Sequence, residues 1–139
     1  MIDFLFDDAN RLLLVRYRLA LTIANLDRLD RELRAFFGSH ALCDTIIDFS
    51  QVPNDDVDTT VVIDRAHRAS RAPGTTRRVF VVKDQLQYGL MRIYRARQEA
   101  RGFTAPDLVL SVDEALSLLG VKEPDFKVVP RQSSSTSPV

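Results

Sequence analysis

Residues 78–102, RVFVVKDQLQYGLMRIYRARQEARG, place a short apolar run directly before a long helical pattern. The run at 78–82 is compact and rich in valine, which is typical of a buried strand. The pattern at 85–101 predicts a helix that ends at Gly102. The side chains expected to face the core are Leu86, Leu90, Ile93 and Tyr94. A strand followed by a helix in this way is the repeating unit of a parallel sheet.

The same alternation extends through most of the chain. The clearest helix is predicted at 22–37, where Thr22 can cap the first turn and Gly38 can end the last. The first two strands are separated by only a short turn at 7–10, so we expect a hairpin with an antiparallel first strand. The predicted strands lie at 2–6, 12–17, 42–49, 78–82 and 108–110, and the predicted helices lie at 22–37, 57–69, 85–101 and 115–119.

This order, β-β-α-β-α-β-α-β-α, predicts an α/β fold with right-handed crossovers. We expect a mixed, mostly parallel sheet of about five strands with one antiparallel edge strand. The chain has 139 residues, a length that fits one domain with one core, and we place that domain at residues 1–121. Residues 122–139 are rich in Pro, Ser and Thr, so we expect a disordered C-terminal tail there.

Composition argues against several classes of function. Lys plus Arg is 19 and Asp plus Glu is 19, a formal net charge of +0 that disfavours general attraction to nucleic acid or membrane surfaces. One cysteine excludes an internal disulfide and a multi-thiolate zinc site. No apolar stretch reaches the length of a membrane span, and the N-terminus lacks a signal-peptide pattern. We therefore expect a cytoplasmic protein without metal, cofactor, bound nucleic acid or membrane span.

Charge is nevertheless distributed unevenly along the chain. Between residues 65 and 101, ten basic residues stand against two acidic ones, a formal charge of +8 that the remainder balances with −8. Such a polarised surface suits an anionic ligand, an acidic partner or a second copy of the chain. The simpler interpretation is that these arginines cover the solvent faces of two helices.

Four residues are candidates for binding a ligand or a partner. Asp48 and Ser50 lie at the end of the third strand, at the edge where α/β proteins commonly bind ligands. Tyr88 and Arg92 lie four residues apart on one side of the predicted third helix. The Arg92 guanidinium can there meet an anion or the Asp48 carboxylate. The alternative is that Tyr88 and Arg92 only support the structure.

Three segments resemble a known family. RVFVV at 78–82, YGLMRIY at 88–94 and SVDEAL at 111–116 resemble the SpoIIAA-like group. That group is related to STAS domains, which include anti-sigma-factor antagonists, and to CRAL-TRIO lipid-binding domains. The resemblance covers roughly residues 2–120, and it implies a single STAS-like α/β domain.

The resemblance also implies a phosphorylation site. Antagonist-type STAS proteins carry Asp-Ser-Ser, or a variant of it, at the start of the helix after the third strand, and a partner kinase phosphorylates the serine. Asp58, Thr59 and Thr60 occupy the comparable place. The preceding loop is longer than usual, and Val61 stands where a glycine follows in the family. Free N–H groups in a helix's first turn favour a phosphate. The alternative is that Asp58 and Thr59 only cap the helix.

These observations favour a non-enzymatic STAS-like protein-interaction and regulatory module, with phosphorylation near the start of the second helix as one expected means of control. The expected partner is a protein such as a kinase or an anti-sigma-like regulator, and a homodimer is a further option. The alternative function is a small carrier of apolar or lipid ligands of the CRAL-TRIO type. An enzyme that uses Asp48 and Arg92 is the weakest hypothesis, because the sequence shows no pairing of a nucleophile with a base.

Overall fold

The computed structural model of the chain describes residues 1–53, 59–68 and 76–130. Its strands are β1 (Ile2–Asp7), β2 (Leu12–Tyr17), β3 (Asp44–Asp48), β4 (Arg78–Val81), β5 (Asp107–Val109) and β6 (Lys127–Val128). Its helices are α1 (Ile23–Ser39), α2 (Thr59–Ala66), α3 (Gln85–Ala100) and α4 (Val112–Leu118). Strands and helices therefore alternate in the predicted order, with β6 added at the end.

The strands form one sheet in the order β5-β4-β3-β2-β1-β6. β2, β3, β4 and β5 run parallel to one another, whereas β1 is antiparallel to both β2 and β6. The turn between β1 and β2 contains Arg11 in the left-handed region, with a φ of 53°. The predicted α/β class, the mostly parallel sheet and the antiparallel first strand are confirmed. β6 is an additional strand that covers part of the outer edge of β1.

Alternation along the strands distributes the apolar side chains between two cores. Leu13, Val15 and Ile47 point to one face, where α1 and α3 pack. Leu14 and Ile46 point to the opposite face, where α4 packs. Helices on both faces are the expected result of crossover connections between parallel strands.

The helix ends follow the capping chemistry of the sequence, with one exception. The Thr22 hydroxyl oxygen accepts a hydrogen bond from the Asn25 N–H at 3.1 Å and caps α1 as predicted. Gly102 follows α3 with a φ of +77°, a conformation that favours glycine. The prediction that Gly38 ends α1 is wrong. The helix continues to Ser39 because Gly38 keeps the helical backbone conformation.

The buried side of α3 differs from the prediction. Leu86 is 85% exposed and Ile93 is 40% exposed, although the sequence predicts both in the core. Gln87, Met91 and Gln98 are the buried side chains of this helix. Hydrophobic spacing alone therefore misplaces two of the four predicted core side chains, whereas Leu90 and Tyr94 are half-buried and Tyr94 packs against the core.

Two glutamines account for the orientation of α3. The Gln87 side chain donates a hydrogen bond to the Phe49 carbonyl at 3.2 Å. The Gln98 side chain donates to the carbonyls of Ala66 and Arg68 at 2.6 and 2.8 Å. These bonds join α3 to the chain after β3 and to the end of α2. Leaving a buried side-chain amide unpaired costs about 1–3 kcal/mol, so these hydrogen bonds favour the burial of Gln87 and Gln98.

The segment after α4 returns to the sheet. Lys127–Val128 pairs with β1, and the Val129 N–H donates to the Phe4 carbonyl at 2.9 Å. The sequence predicts disorder from residue 122 onward. In the structure, residues up to Pro130 instead follow a defined path, because they cover an otherwise unpaired edge of β1. Residues 131–139 lie outside the described residues.

A buried carboxylate holds this segment in place. Asp7 is fully buried, and it accepts hydrogen bonds from the Asn10 N–H at 2.9 Å, the Asn10 side-chain amide at 2.7 Å and the Asp125 N–H at 2.9 Å. Burial alone raises the pKa of Asp7. The hydrogen-bond donors favour the charged form, however, and they hold the pKa below its ordinary value.

We predict that Asp7→Asn destabilises the protein near neutral pH, because the charged acceptor is lost. Since the pKa of Asp7 is lowered in the folded state, its stabilisation is present above the ordinary value of 3.8 and is lost as the pH falls below it. The difference in free energy of unfolding between wild type and Asp7→Asn should therefore shrink between about pH 7 and about pH 3 in urea denaturation. Asp8→Asn, at the exposed neighbouring carboxylate, is the control. A difference that stays constant over this pH range contradicts the role of Asp7.

Candidate binding cleft

A cleft of about 360 Å³ lies between α1 and the pair formed by α2 and α3. Its floor is the face of the sheet that carries Ile47 of β3 and Phe80 of β4. The helices contribute further apolar side chains to its walls, namely Leu26, Leu29, Leu33 and Phe37 from α1, Val62 from α2 and Met91 from α3. A concave site with a mostly apolar lining and a few polar groups is the usual form of a small-molecule site.

The cleft forms because its two walls are anchored to different parts of the structure. α1 is held over β1 by Phe36, whose ring centre lies 6.0 Å from that of Phe4 and 5.6 Å from that of Phe6. α2 packs against α3, and the Gln98 amide joins these two helices through the Ala66 carbonyl. The space between the two anchored walls lies over β3 and β4.

One arginine bridges the two walls. Arg65, in the last turn of α2, donates to Asp27 at 2.7 Å and to Asp30 at 2.6 Å. Both aspartates belong to α1, and their spacing of three residues places them on the same side of the helix. The Arg65 side chain is only 12% exposed, so its charge requires these partners. We call this contact the Arg65 bridge, and it sets the separation of α1 from α2.

The charge of Arg65 affects the pKa values of two nearby side chains, Asp27 and Tyr17. The hydrogen bond from Arg65 outweighs desolvation and holds the pKa of Asp27 below its ordinary value. Arg68 adds a longer contact to Asp27 at 3.4 Å. In the adjoining core, burial raises the pKa of Tyr17 to about 12, although the charges of Arg65 and Arg28 oppose this rise. Tyr17 is therefore neutral at physiological pH.

The lining of the cleft carries an excess of positive charge. Five arginines line it against Asp27 and Asp30, a formal excess of three positive charges. The arginines are Arg31, Arg34, Arg65, Arg68 and Arg78. Both aspartates are engaged by the Arg65 bridge. Arg31 and Arg34 are exposed, and neither forms an ion pair with another residue of the described ranges.

Arg78 is fixed at the start of β4. Its guanidinium donates to the Gln98 side-chain oxygen at 3.0 Å and to the Thr104 carbonyl at 2.8 Å. The guanidinium carbon also lies 5.6 Å from the centre of the Phe80 ring. These partners are neutral, so they orient the Arg78 side chain without cancelling its charge.

The four binding residues predicted from the sequence do not form one site. Asp48 ends β3 on the face that carries Ile46 and α4, and its carboxylate accepts the Ser50 N–H at 2.8 Å. Arg92 is exposed on α3, which packs on the opposite face of the sheet. Tyr88 is half-buried and packs against the core under α3. The structure does not bring Asp48 and Arg92 together, so of the two options for Arg92 the contact with Asp48 does not form. The part of each of the four residues in binding stays a prediction.

The predicted phosphorylation site is described only in part. Thr59 and Thr60 are the first two residues of α2, and both are exposed. Asp58 lies outside the described residues. Phosphorylation at either threonine stays a prediction.

Sequence patterns do not single out the residues of the cleft. The sequence predicts Asp27 and Asp30 on the solvated surface of α1, and nothing in it distinguishes Arg65 from the other arginines. The one available signal is the spacing of the two aspartates, which places both carboxylates on one side of a helix. Their partner is 38 and 35 residues away in the chain, so the contact depends on tertiary structure.

No protein-family model matches the chain, and no curated protein matches it significantly. The SpoIIAA-like resemblance therefore stays a prediction. Within residues 1–53, 59–68 and 76–130, no helix is long and apolar enough to cross a bilayer. The same ranges contain no group of three His, Cys, Asp or Glu side chains placed to hold a metal ion.

We predict that Arg65→Gln raises the pKa of Asp27 toward the ordinary value of 3.8, because a charge-assisted hydrogen bond is lost. Titration of the aspartate carboxyl groups by carbon-13 NMR measures this pKa in wild type and variant. Arg97→Gln, at an exposed arginine on α3, is the control and should leave the pKa of Asp27 unchanged. If the pKa of Asp27 is the same in wild type and in Arg65→Gln, the Arg65 bridge does not form in solution.

Proposed function

We propose that the protein is a non-enzymatic binding module that holds a small apolar or lipid-like ligand in the cleft between α1 and the α2–α3 pair. The observation that carries this proposal is the cleft itself, about 360 Å³ of space over an apolar floor. Small-molecule sites typically measure about 300–1,000 Å³. A dry cavity of about 150 Å³ already accepts benzene, so this cleft has room for an alkyl chain of about ten carbons.

The polar groups of the cleft favour binding over catalysis. Thr45 and Tyr94 line it, but the Thr45 hydroxyl donates to the Cys43 carbonyl at 3.4 Å, and the Tyr94 hydroxyl lies 3.5 Å from the Arg78 guanidinium. Burial raises the pKa of the neighbouring Cys43 thiol, so the reactive thiolate is disfavoured. None of these three groups, the hydroxyls of Thr45 and Tyr94 and the thiol of Cys43, is an activated nucleophile, which supports a binding role.

Burial of an alkyl chain supplies the free energy for such binding. Each buried methylene contributes about 0.8 kcal/mol, which corresponds to a factor of about four in affinity. An octyl chain therefore gains about 6 kcal/mol before the cost of association is subtracted. The affinity for a homologous series of ligands should consequently increase with chain length until the cleft is full.

We predict that titration calorimetry with hexanol, octanol and decanol shows this increase, about fourfold per methylene over the shorter chains. Leu33→Phe narrows the cleft from the α1 wall and should weaken octanol binding by about tenfold, because a larger ring occupies the ligand's space.

The matched control is Leu118→Phe, the same substitution at a half-exposed leucine of α4 on the other face of the sheet. It should leave octanol binding unchanged. Two results contradict the proposal: the absence of binding by all three alcohols, or equal octanol affinity in wild type and Leu33→Phe.

A second candidate is the STAS-like interaction and regulatory module, acting in the cytoplasm with a kinase or an anti-sigma-like regulator. Exposure of Thr59 and Thr60 at the start of α2 favours it, because a kinase acts on solvent-exposed residues. In this form the protein works as a monomer or as a homodimer.

For this second candidate we predict that purified serine/threonine kinases transfer phosphate to Thr59 or Thr60, as detected by tandem mass spectrometry. The double variant Thr59→Ala/Thr60→Ala should lose the modification. Thr22 serves as an internal control, since its hydroxyl caps α1 and should stay unmodified. Phosphate found only at other positions, or at none with any kinase, argues against control by phosphorylation.

A further inference from the structure

The cleft is cationic at one end and apolar at the other. Thr45 and Arg78 are register partners at the start of β3 and β4. α1 connects two parallel strands, so it runs back along the sheet and its C-terminal half, with Arg34, lies at this same end. Leu21 precedes α1, and Phe49 follows β3, so both lie at the opposite end. The lining thus changes from guanidinium groups to hydrocarbon along the direction of the strands.

Among the described residues that line the cleft, the only carboxylates are those of Asp27 and Asp30. Asp30 lies one helical turn before Arg34, but it is already engaged by Arg65 at 2.6 Å. Arg34 is exposed and forms no ion pair with the residues that the structure describes. Arg78 donates only to neutral oxygens. Arg34 therefore lies beside the apolar cleft without an ion-pair partner among the described residues, and Arg78 adds a positive charge that its neutral partners do not cancel.

Given the proposed binding function, we infer that the ligand is an amphipathic oxyanion. Its alkyl or aryl tail extends toward Leu21 and Phe49, and its carboxylate or phosphate head group is held by Arg34 and Arg78. Guanidinium groups form short, charge-assisted hydrogen bonds with the oxygens of both head groups. The hydrocarbon end gives no favourable contact to a purely polar anion, and the cationic end repels an alkylammonium.

Titration calorimetry with octyl probes tests the head group separately from the tail. The probes are octanoate, octyl phosphate, octanol and octylamine, with acetate and inorganic phosphate as anions that lack the tail. Octanoate and octyl phosphate should bind at least about tenfold more tightly than octanol, because each adds charge-assisted hydrogen bonds to the same tail. Octylamine, acetate and inorganic phosphate should bind more weakly than octanol.

Substitution of Arg34 tests the position of the head group. Arg34→Gln should lower the affinity for octanoate by about tenfold and the affinity for octanol much less, because the octanol head group carries no charge. Arg97→Gln removes an exposed arginine from α3, outside the cleft, and should change neither affinity. Arg34 is itself exposed, so Gln at this position preserves the fold, and circular dichroism verifies this.

The outcomes distinguish the ligand class from the binding function. Octanol that binds as tightly as octanoate overturns the inference and leaves the proposed function intact, whereas no binding by any octyl probe overturns both. Acetate or inorganic phosphate that binds as tightly as its octyl counterpart also overturns the inference, because the tail then contributes nothing. A preference for octyl phosphate over octanoate, or the reverse, supports the inference and identifies the head group.

Discussion

The contact of Arg65 with Asp27 and Asp30 sets the spacing of the helices, and the candidate site depends on that spacing. α1 is anchored to β1 through packed aromatic rings, and α2 is anchored to α3 through the buried Gln98 amide. The two walls of the cleft are thus tied to different parts of the fold. Because Arg65 is nearly buried, its charge keeps both carboxylates within hydrogen-bonding distance. The result is a gap of defined width over an apolar surface of the sheet.

Much of the fold is predictable because local chemistry and apolar spacing agree. The Thr22 hydroxyl caps the first turn of α1, and Gly102 follows α3 in a left-handed conformation that favours glycine. The side of α3 that faces inward is not predictable in this way, since Gln87 and Gln98 are polar yet buried by their bonds to carbonyls. The sequence likewise does not predict β6, because a two-residue strand depends on the edge of β1 and on the Asp7 carboxylate rather than on its own pattern.

The candidate site is less predictable than the fold. The parallel sheet directs attention to the carboxyl ends of the strands, but strand alternation turns Asp48 to the face opposite α3 and Arg92. The excess of arginine at 65–101 is partly neutralised inside the fold, since Arg65 pairs with α1. Arg34 lies outside that stretch of sequence, and its importance follows only from its place beside the cleft. The net charge of a sequence segment therefore does not show which arginines are left without a carboxylate partner in the fold.

Methyl NMR of the two methionines tests most directly whether the cleft is the binding site. Met91 lines the cleft and is 3% exposed, whereas Met1 is 57% exposed and lies outside it. In protein labelled with carbon-13 at the methionine methyl groups, saturating octanoate should shift the Met91 signal and leave the Met1 signal in place. Met91→Leu assigns the two signals. An unchanged Met91 signal, or equal shifts of both signals, contradicts the account.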